Sequence, residues 1–271
     1  MTHPQPAKAI IHFAHANGVP SKVYQKLFDL LQDEYDIRYV PMIGPDKRYP
    51  ISNQWHDLVD QIIDSVVQQT PGRNVIGLGH SLGSILTMQA AKRRPDLFKQ
   101  VILLDPPLIM GKQSLFFHFT KLLRPKMVDQ ITPAGLSKRR RDHWESREQA
   151  AALLRPKGFY KDFDAACFDA YIQHALRDDA RGGVCLSIPK ADEVQIFRTN
   201  PSHWWLPSAK ATTPMHVVVG DKSQFYQRGF IQMAKAKWGL DYTLTQGSHM
   251  FPLEHPQQTV NIIKQLIAQQ N

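Results

Sequence analysis

A serine set between glycines, Gly79-His80-Ser81-Leu82-Gly83, stands directly after the apolar run Asn74-Val75-Ile76-Gly77-Leu78 and directly before a stretch with helical spacing. That placement predicts a sharp strand-to-helix turn with the Ser81 hydroxyl at its tip. The backbone at such a tip is strained, and glycines two residues before and two after it leave room for a neighbouring strand and helix to pass close by. The turn pushes Ser81 Oγ out of the sheet edge. Amides opening the next helix then point toward negative charge developing on a bound carbonyl, which the helix dipole also favours. Small residues around a serine are common in loops as well, so this reading depends on what the rest of the chain supplies.

The flanking sequence supplies the sheet that such a turn needs. Short apolar runs alternate with longer amphipathic ones, the signature of a parallel sheet covered by helices. Residues 9–13, 37–40, 75–78 and 101–104 read as buried strands, with helices at 24–33, 53–69 and 82–93 between them. Pro71 and Pro95 mark the stops after two of these helices. The rhythm resumes with strands at 215–219 and 242–245 and helices at 225–237 and 257–269. Residues 108–210 break it. They hold no clear strand but carry helical spacing at 115–123, 147–154 and 163–176, and they are rich in aromatic residues. The expected organisation is therefore an α/β core from residues 1–107 and 211–271, with a helical lid inserted at 108–210. Ligands of open α/β sheets bind beyond the carboxyl ends of the strands, so an insertion leaving one of those ends would roof the pocket.

Composition narrows the partners. The 271 residues carry 33 Lys and Arg against 24 Asp and Glu, a formal charge of +9. The one dense basic run, Lys138-Arg139-Arg140-Arg141, lies between Pro133-Ala134-Gly135 and an acid-bearing segment at 142–148 that looks helical, so it reads as a solvated helix face. No aromatic platform or groove-reading motif accompanies it, which argues against nucleic acid. Cys167 and Cys185 form no disulfide or metal framework and fit a reducing compartment. Residues 1–8 are mostly polar with two prolines, and the apolar run behind them is interrupted by His12 and His15. That pattern is not a signal or spanning segment, and the expectation is a cytoplasmic protein without stable membrane insertion.

A serine hydroxyl is a poor nucleophile at neutral pH and needs a base, usually a histidine held by a carboxylate. The segment 215–221, Met-His-Val-Val-Val-Gly-Asp, ends a strand on Asp221, and the strand at 242–245 leads into Gln246-Gly247-Ser248-His249. Strand-end positions place Asp221 and His249 on the same sheet edge as Ser81. The order Ser, Asp, His is the one expected of an elbow-type hydrolase. Asp105, in Leu103-Leu104-Asp105-Pro106, is a rival acid, and the sequence favours Asp221 over it. His255 competes with His249, whose place just beyond a strand favours it. His15 reads as a loop organiser, and His80 as a residue packed beside the elbow.

On these residues the chain resembles the α/β-hydrolase superfamily, in its lid-bearing, esterase-like branch, over residues 9–108 and 215–269. The resemblance implies an α/β-hydrolase fold, with a mostly parallel sheet and helices on both faces. It also implies Ser81 as nucleophile, His249 as general base and Asp221, or alternatively Asp105, as the orienting acid. The family's early His-Gly-type loop matches His15-Ala16-Asn17-Gly18, which makes the backbone amides of Asn17 and Leu82 the expected oxyanion donors. Ala16 stands where the family usually has glycine, and the usual opening hairpin is shortened or missing. Serine at the elbow argues against the alkyl-enzyme route to epoxide or haloalkane hydrolysis. The implied chemistry is acyl transfer to and from Ser81 on a small-molecule, ester-like substrate, with no cofactor and no metal. Leu115, Phe116, Phe117, Phe119, Trp144, Phe159, Phe168, Trp204 and Trp205 supply bulk either for an apolar pocket or for the lid's own core. Ester, thioester and carbon-carbon cleavage all stay open, as do a lyase, a cofactor-free oxidative role and a ligand sensor on the same fold.

Overall fold

The computed structural model describes residues 7–270, so most of the N-terminal stretch at 1–8 lies outside the described residues. Six strands form one fully parallel sheet: β1 (Ala9–Ala14), β2 (Tyr35–Tyr39), β3 (Val75–His80), β4 (Phe98–Leu104), β8 (Met215–Gly220) and β9 (Asp241–Thr245). Their order across the sheet is β2-β1-β3-β4-β8-β9. Every residue of β3 is buried, as expected of a strand covered on both faces. Alternate residues serve different layers. Ile11 and Phe13 of β1 join a cluster with Val260 and Ile263, whereas Ile10 and Ala14 join Leu58, Ile62 and Ile85 on the other face.

The helices are α1 (Gln25–Asp29), α2 (His56–Gln69) and α3 (Leu82–Arg93) in the first half, and α10 (Gln224–Gln227), α11 (Phe230–Trp238), α12 (Phe251–Glu254) and α13 (Pro256–Ala268) in the last. The six expected core strands are all present, and α3 has the expected bounds. The single helix expected at 225–237 is split at Gly229, whose φ of 74° ends one helix and starts the next.

Between β4 and β8 run α4 (Gly111–Leu123), α5 (Pro125–Ile131), α6 (Ala134–Arg139), α7 (Arg147–Leu154), α8 (Ala165–His174) and α9 (Lys190–Thr199). Contrary to the expectation of no strand there, β5 (His143–Trp144), β6 (Leu176–Asp178) and β7 (Val184–Leu186) form a small antiparallel sheet in the order β5-β7-β6. Runs of two or three residues are too short to leave an alternating pattern. Their hairpin turn, with Gly182 and Gly183 at φ 90° and 73°, was the readable sign. Residues 142–146 are accordingly loop, strand and cap rather than helix, α7 starting only at Arg147. The basic run is not uniformly solvated either, because Arg140 turns inward and pairs with buried Glu193. Trp144, Phe168 and Tyr171 of this region share one buried cluster with Phe13 and Tyr24, so the segment between β4 and β8 packs directly against the elements around β1.

Candidate active site

Ser81 sits between β3 and α3 with φ 53° and ψ −116°, a backbone conformation that costs on the order of 1–3 kcal/mol for a side-chain-bearing residue. Contacts on every side hold it there. The Ser81 amide donates to the Leu104 carbonyl at 2.9 Å, continuing the β3–β4 ladder beyond the strand end. A Cβ at Gly79 would lie 2.3 Å from the Gly83 carbonyl oxygen, and one at Gly83 would lie 2.0 Å from the Ala14 carbonyl oxygen. Both glycines are thus required by close passage of the helix and of β1, as the elbow pattern predicts. Ser84 was not anticipated. Its hydroxyl reaches the carbonyls of Gly79 at 2.9 Å and Leu104 at 2.8 Å, stitching the first turn of α3 to both strands.

His249, in the loop after β9, brings Nε2 to 2.9 Å from Ser81 Oγ. Its Nδ1 lies 2.6 Å from Asp105 Oδ2. A carboxylate only accepts, so Nδ1 carries the proton and Nε2 presents its lone pair to the serine hydroxyl. Asp105 is wholly buried and fully partnered: Oδ1 accepts the Gly220 amide at 3.0 Å, and Oδ2 also accepts the Ser223 hydroxyl at 2.6 Å. Its backbone is itself unusual, with φ at 44°.

The preference for Asp221 as partner of His249 is corrected by this geometry. Asp221 is exposed, and its Oδ1 accepts the Gly247 amide at 2.9 Å. Strand order explains the exchange. β4 lies between β3 and β8, so Asp105 follows the strand adjacent to Ser81, whereas Asp221 follows the next one out and braces the turn at Gly247. His255, the rival histidine, sits at the start of α13.

Behind the elbow a buried chain links the two flanking loops. The Ala16 amide donates to Tyr24 Oη at 3.4 Å, Tyr24 Oη lies 2.6 Å from His80 Nδ1, and His80 Nε2 lies 2.8 Å from the His249 carbonyl. Burial, aided by the nearby His249 ring, pushes the His80 imidazole down to about 3, so it is neutral near pH 7. His15 is also buried and pushed down to about 4 by loss of hydration. Its Nε2 accepts the Ile43 amide at 2.7 Å and Nδ1 donates to the Ala16 carbonyl at 2.7 Å, the bonding of a loop organiser. Among the described residues the amides of Asn17 and Leu82 are not given to any other group.

Helix α9 lies over this loop. The Asn17 side chain donates to the Glu193 carbonyl at 3.0 Å, and a Cβ at Gly18 would stand 2.9 Å from Glu193 Oε2. The aromatic residues between β4 and β8 differ in exposure, and Trp204 is half-buried. Phe117, Trp144 and Phe168 are buried, whereas Phe116, Phe119, Phe159 and Trp205 are exposed. Phe225, unremarked in the sequence, places its ring 5.3 Å from that of His249. Among the described residues no group of three or more His, Cys, Asp or Glu is arranged to hold a metal ion.

A family model described as the alpha/beta hydrolase family matches residues 13–262. The type I acyl-CoA thioesterase mpaH' of Penicillium brevicompactum is 28% identical over 242 residues, covering 82% of this chain and 52% of that protein. The chain thus spans about half the length of that relative. Among solved structures, E-2-(acetamidomethylene)succinate hydrolase superposes with a TM-score of 0.73 at 19% identity, covering 97% of this chain and 92% of the other. The thioesterase domain from the curacin biosynthetic pathway gives 0.70 at 20% identity, covering 96% and 92%. At these identities the two structures speak to the fold alone.

Proposed function

The chain belongs to the alpha/beta hydrolase family, and from that premise we propose that it is a serine hydrolase cleaving a carboxylic ester or thioester of a small to medium apolar substrate through an acyl-enzyme. One observation carries the proposal: Ser81 Oγ, His249 and Asp105 form a continuous hydrogen-bonded chain at 2.9 and 2.6 Å, in the tautomer that makes His249 Nε2 a proton acceptor. His249 takes the Ser81 proton as Oγ attacks the carbonyl, and Asp105 stabilises the imidazolium that forms. The amides of Asn17 and Leu82 receive the oxyanion, each contributing on the order of 3 kcal/mol by analogy with other serine hydrolases. His249 then protonates the departing alcohol or thiol. Water activated by the same ring releases the acid and restores Ser81.

The thioester arm draws support from the acyl-CoA thioesterase among the relatives. In this proposal residues 108–210 act as the cap, supported by α9 lying over the loop that bears Asn17. A cytoplasmic setting belongs to the same proposal, supported by two cysteines that are buried and unbridged.

Fluorophosphonate labelling with mapping of the modified residue tests the nucleophile, and Ser81 is expected to carry the label. Ser81→Ala should fold normally and lose turnover on acyl ester and acyl thioester panels, with isotopic oxygen from water appearing in the acid released by the parent protein. Full activity in the Ser81→Ala protein, or labelling elsewhere, removes the assignment.

A further inference from the structure

Helix α4 wears its apolar residues on the outside. Ser114, Phe117 and Thr120 face inward, while Phe116, Phe119, Leu122 and Leu123 are 58%, 49%, 68% and 71% exposed. At 3.6 residues per turn these four side chains share one face of the helix. That inverts the usual pattern, in which a helix resting on a soluble core turns its apolar stripe inward. Trp205, itself exposed, stands beside the helix with its ring 6.1 Å from that of His118.

Charge frames the same face. Lys112, Arg124 and Lys126 are exposed at its ends, and residues 106–128 contain no Asp or Glu. The first acid to follow, Asp129, is engaged by Arg198 at 2.6 Å and faces Lys138 at 4.0 Å. The whole chain carries +9. Phe and Leu on one helical face, with cations beside them and no acid in the segment, is the composition of a helix that lies in the plane of a membrane interface. A second copy of this chain fits the face poorly, because a two-fold contact through α4 would bring the same three cations against one another.

We propose that the outer face of α4 docks this protein on an anionic lipid bilayer. Phe116, Phe119, Leu122 and Leu123 enter the boundary between headgroups and acyl chains, and Lys112, Arg124 and Lys126 meet the lipid phosphates. The helix lies flat. With 13 residues it is too short to span, and no helix among the described residues is long and apolar enough to cross. The contact would hold whether or not Ser81 is the nucleophile.

Sedimentation with vesicles of phosphatidylcholine alone, and of phosphatidylcholine mixed with phosphatidylglycerol, tests the proposal. The expected result is binding to the mixed vesicles that weakens with added salt, with little binding to phosphatidylcholine alone. Phe116→Ser with Leu123→Ser should abolish it, while the thermal midpoint and the rate on a soluble ester stay unchanged. Lys112→Ala and Lys126→Ala should each weaken it about fivefold, which tests the charge without altering the apolar face. No binding to the mixed vesicles overturns the proposal, as does binding that is indifferent to phosphatidylglycerol or that survives the double serine variant. A concentration-dependent dimer that the same variant dissolves assigns the face to a second copy and overturns it equally.

Discussion

His80 holds His249 by its main chain: Nε2 of the one donates to the carbonyl oxygen of the other across 2.8 Å. The direction follows from the carbonyl itself. The His249 carbonyl can only accept, so the ring proton sits on Nε2, Nδ1 accepts from the Tyr24 hydroxyl, and Tyr24 Oη in turn accepts the Ala16 amide. The residue proposed as general base is thus tied at its root to the loop proposed to bear the oxyanion donor.

Tyr24→Phe breaks this chain at its centre. It leaves His80 Nδ1 and the Ala16 amide without partners inside the core, at a cost of about 1–3 kcal/mol in stability. Urea unfolding should show that loss. Steady-state kinetics on a soluble ester should show a lower kcat with KM little changed, because the displaced groups orient the machinery rather than hold substrate.

The two strand-end acids should separate cleanly on mutation. Asp105→Asn disturbs the tautomer of His249, and its kcat should fall by about 10⁴, the scale seen for the equivalent change in serine proteases. Asp221→Asn leaves an Oδ1 that can still accept the Gly247 amide and removes only an exposed charge remote from His249, so its kcat should stay within about threefold of the parent. Parallel kinetics on one ester decide it.

Acid should weaken the fold well before most carboxylates titrate. Burial pushes His12 and His15 down to about 4 and His80 down to about 3, whereas an unfolded imidazole titrates near its ordinary value of 6.5. Between those limits the unfolded chain binds protons that the folded chain refuses. The contribution to stability is therefore complete above pH 6.5 and is lost as pH falls toward 4, by up to on the order of 3 kcal/mol for each ring. Urea midpoints measured across this window should fall steadily, and His12→Gln should make the slope shallower.

Glycine replacement at the elbow should be decided by space. In Gly83→Ala the new methyl meets the Ala14 carbonyl oxygen at 2.0 Å, and the variant should lose about 3 kcal/mol or fail to accumulate in soluble form. Gly158→Ala is the control. Nothing lies within 4 Å of a Cβ there, so its thermal midpoint should be almost unchanged.

Much of this was legible locally. The apolar run at 75–78, the helix at 82–93 and the glycines beside Ser81 each report on neighbours only a few residues away, and the structure has all three. The partner of His249 was not legible, because both Asp105 and Asp221 end a strand. What separates them is that β4 lies between β3 and β8, a fact of strand order that no window of sequence contains. The Ser223 hydroxyl on Asp105 and the Tyr24–His80 link join residues far apart in the chain and leave no periodic trace. Helical spacing found α4, but a period says which residues share a face and not which face meets water. Phe116 and Phe119, read as pocket or core, therefore lie outside.

Asn17 hangs from the main chain of α9, and Gly18 lies against the carboxylate of Glu193. The helix proposed to belong to the cap and the loop proposed to bear an oxyanion donor therefore share a fastening. Any tilt of that helix also re-aims the backbone of Asn17 and Gly18, so in the proposed mechanism access to Ser81 and alignment of the oxyanion donor are not independent variables.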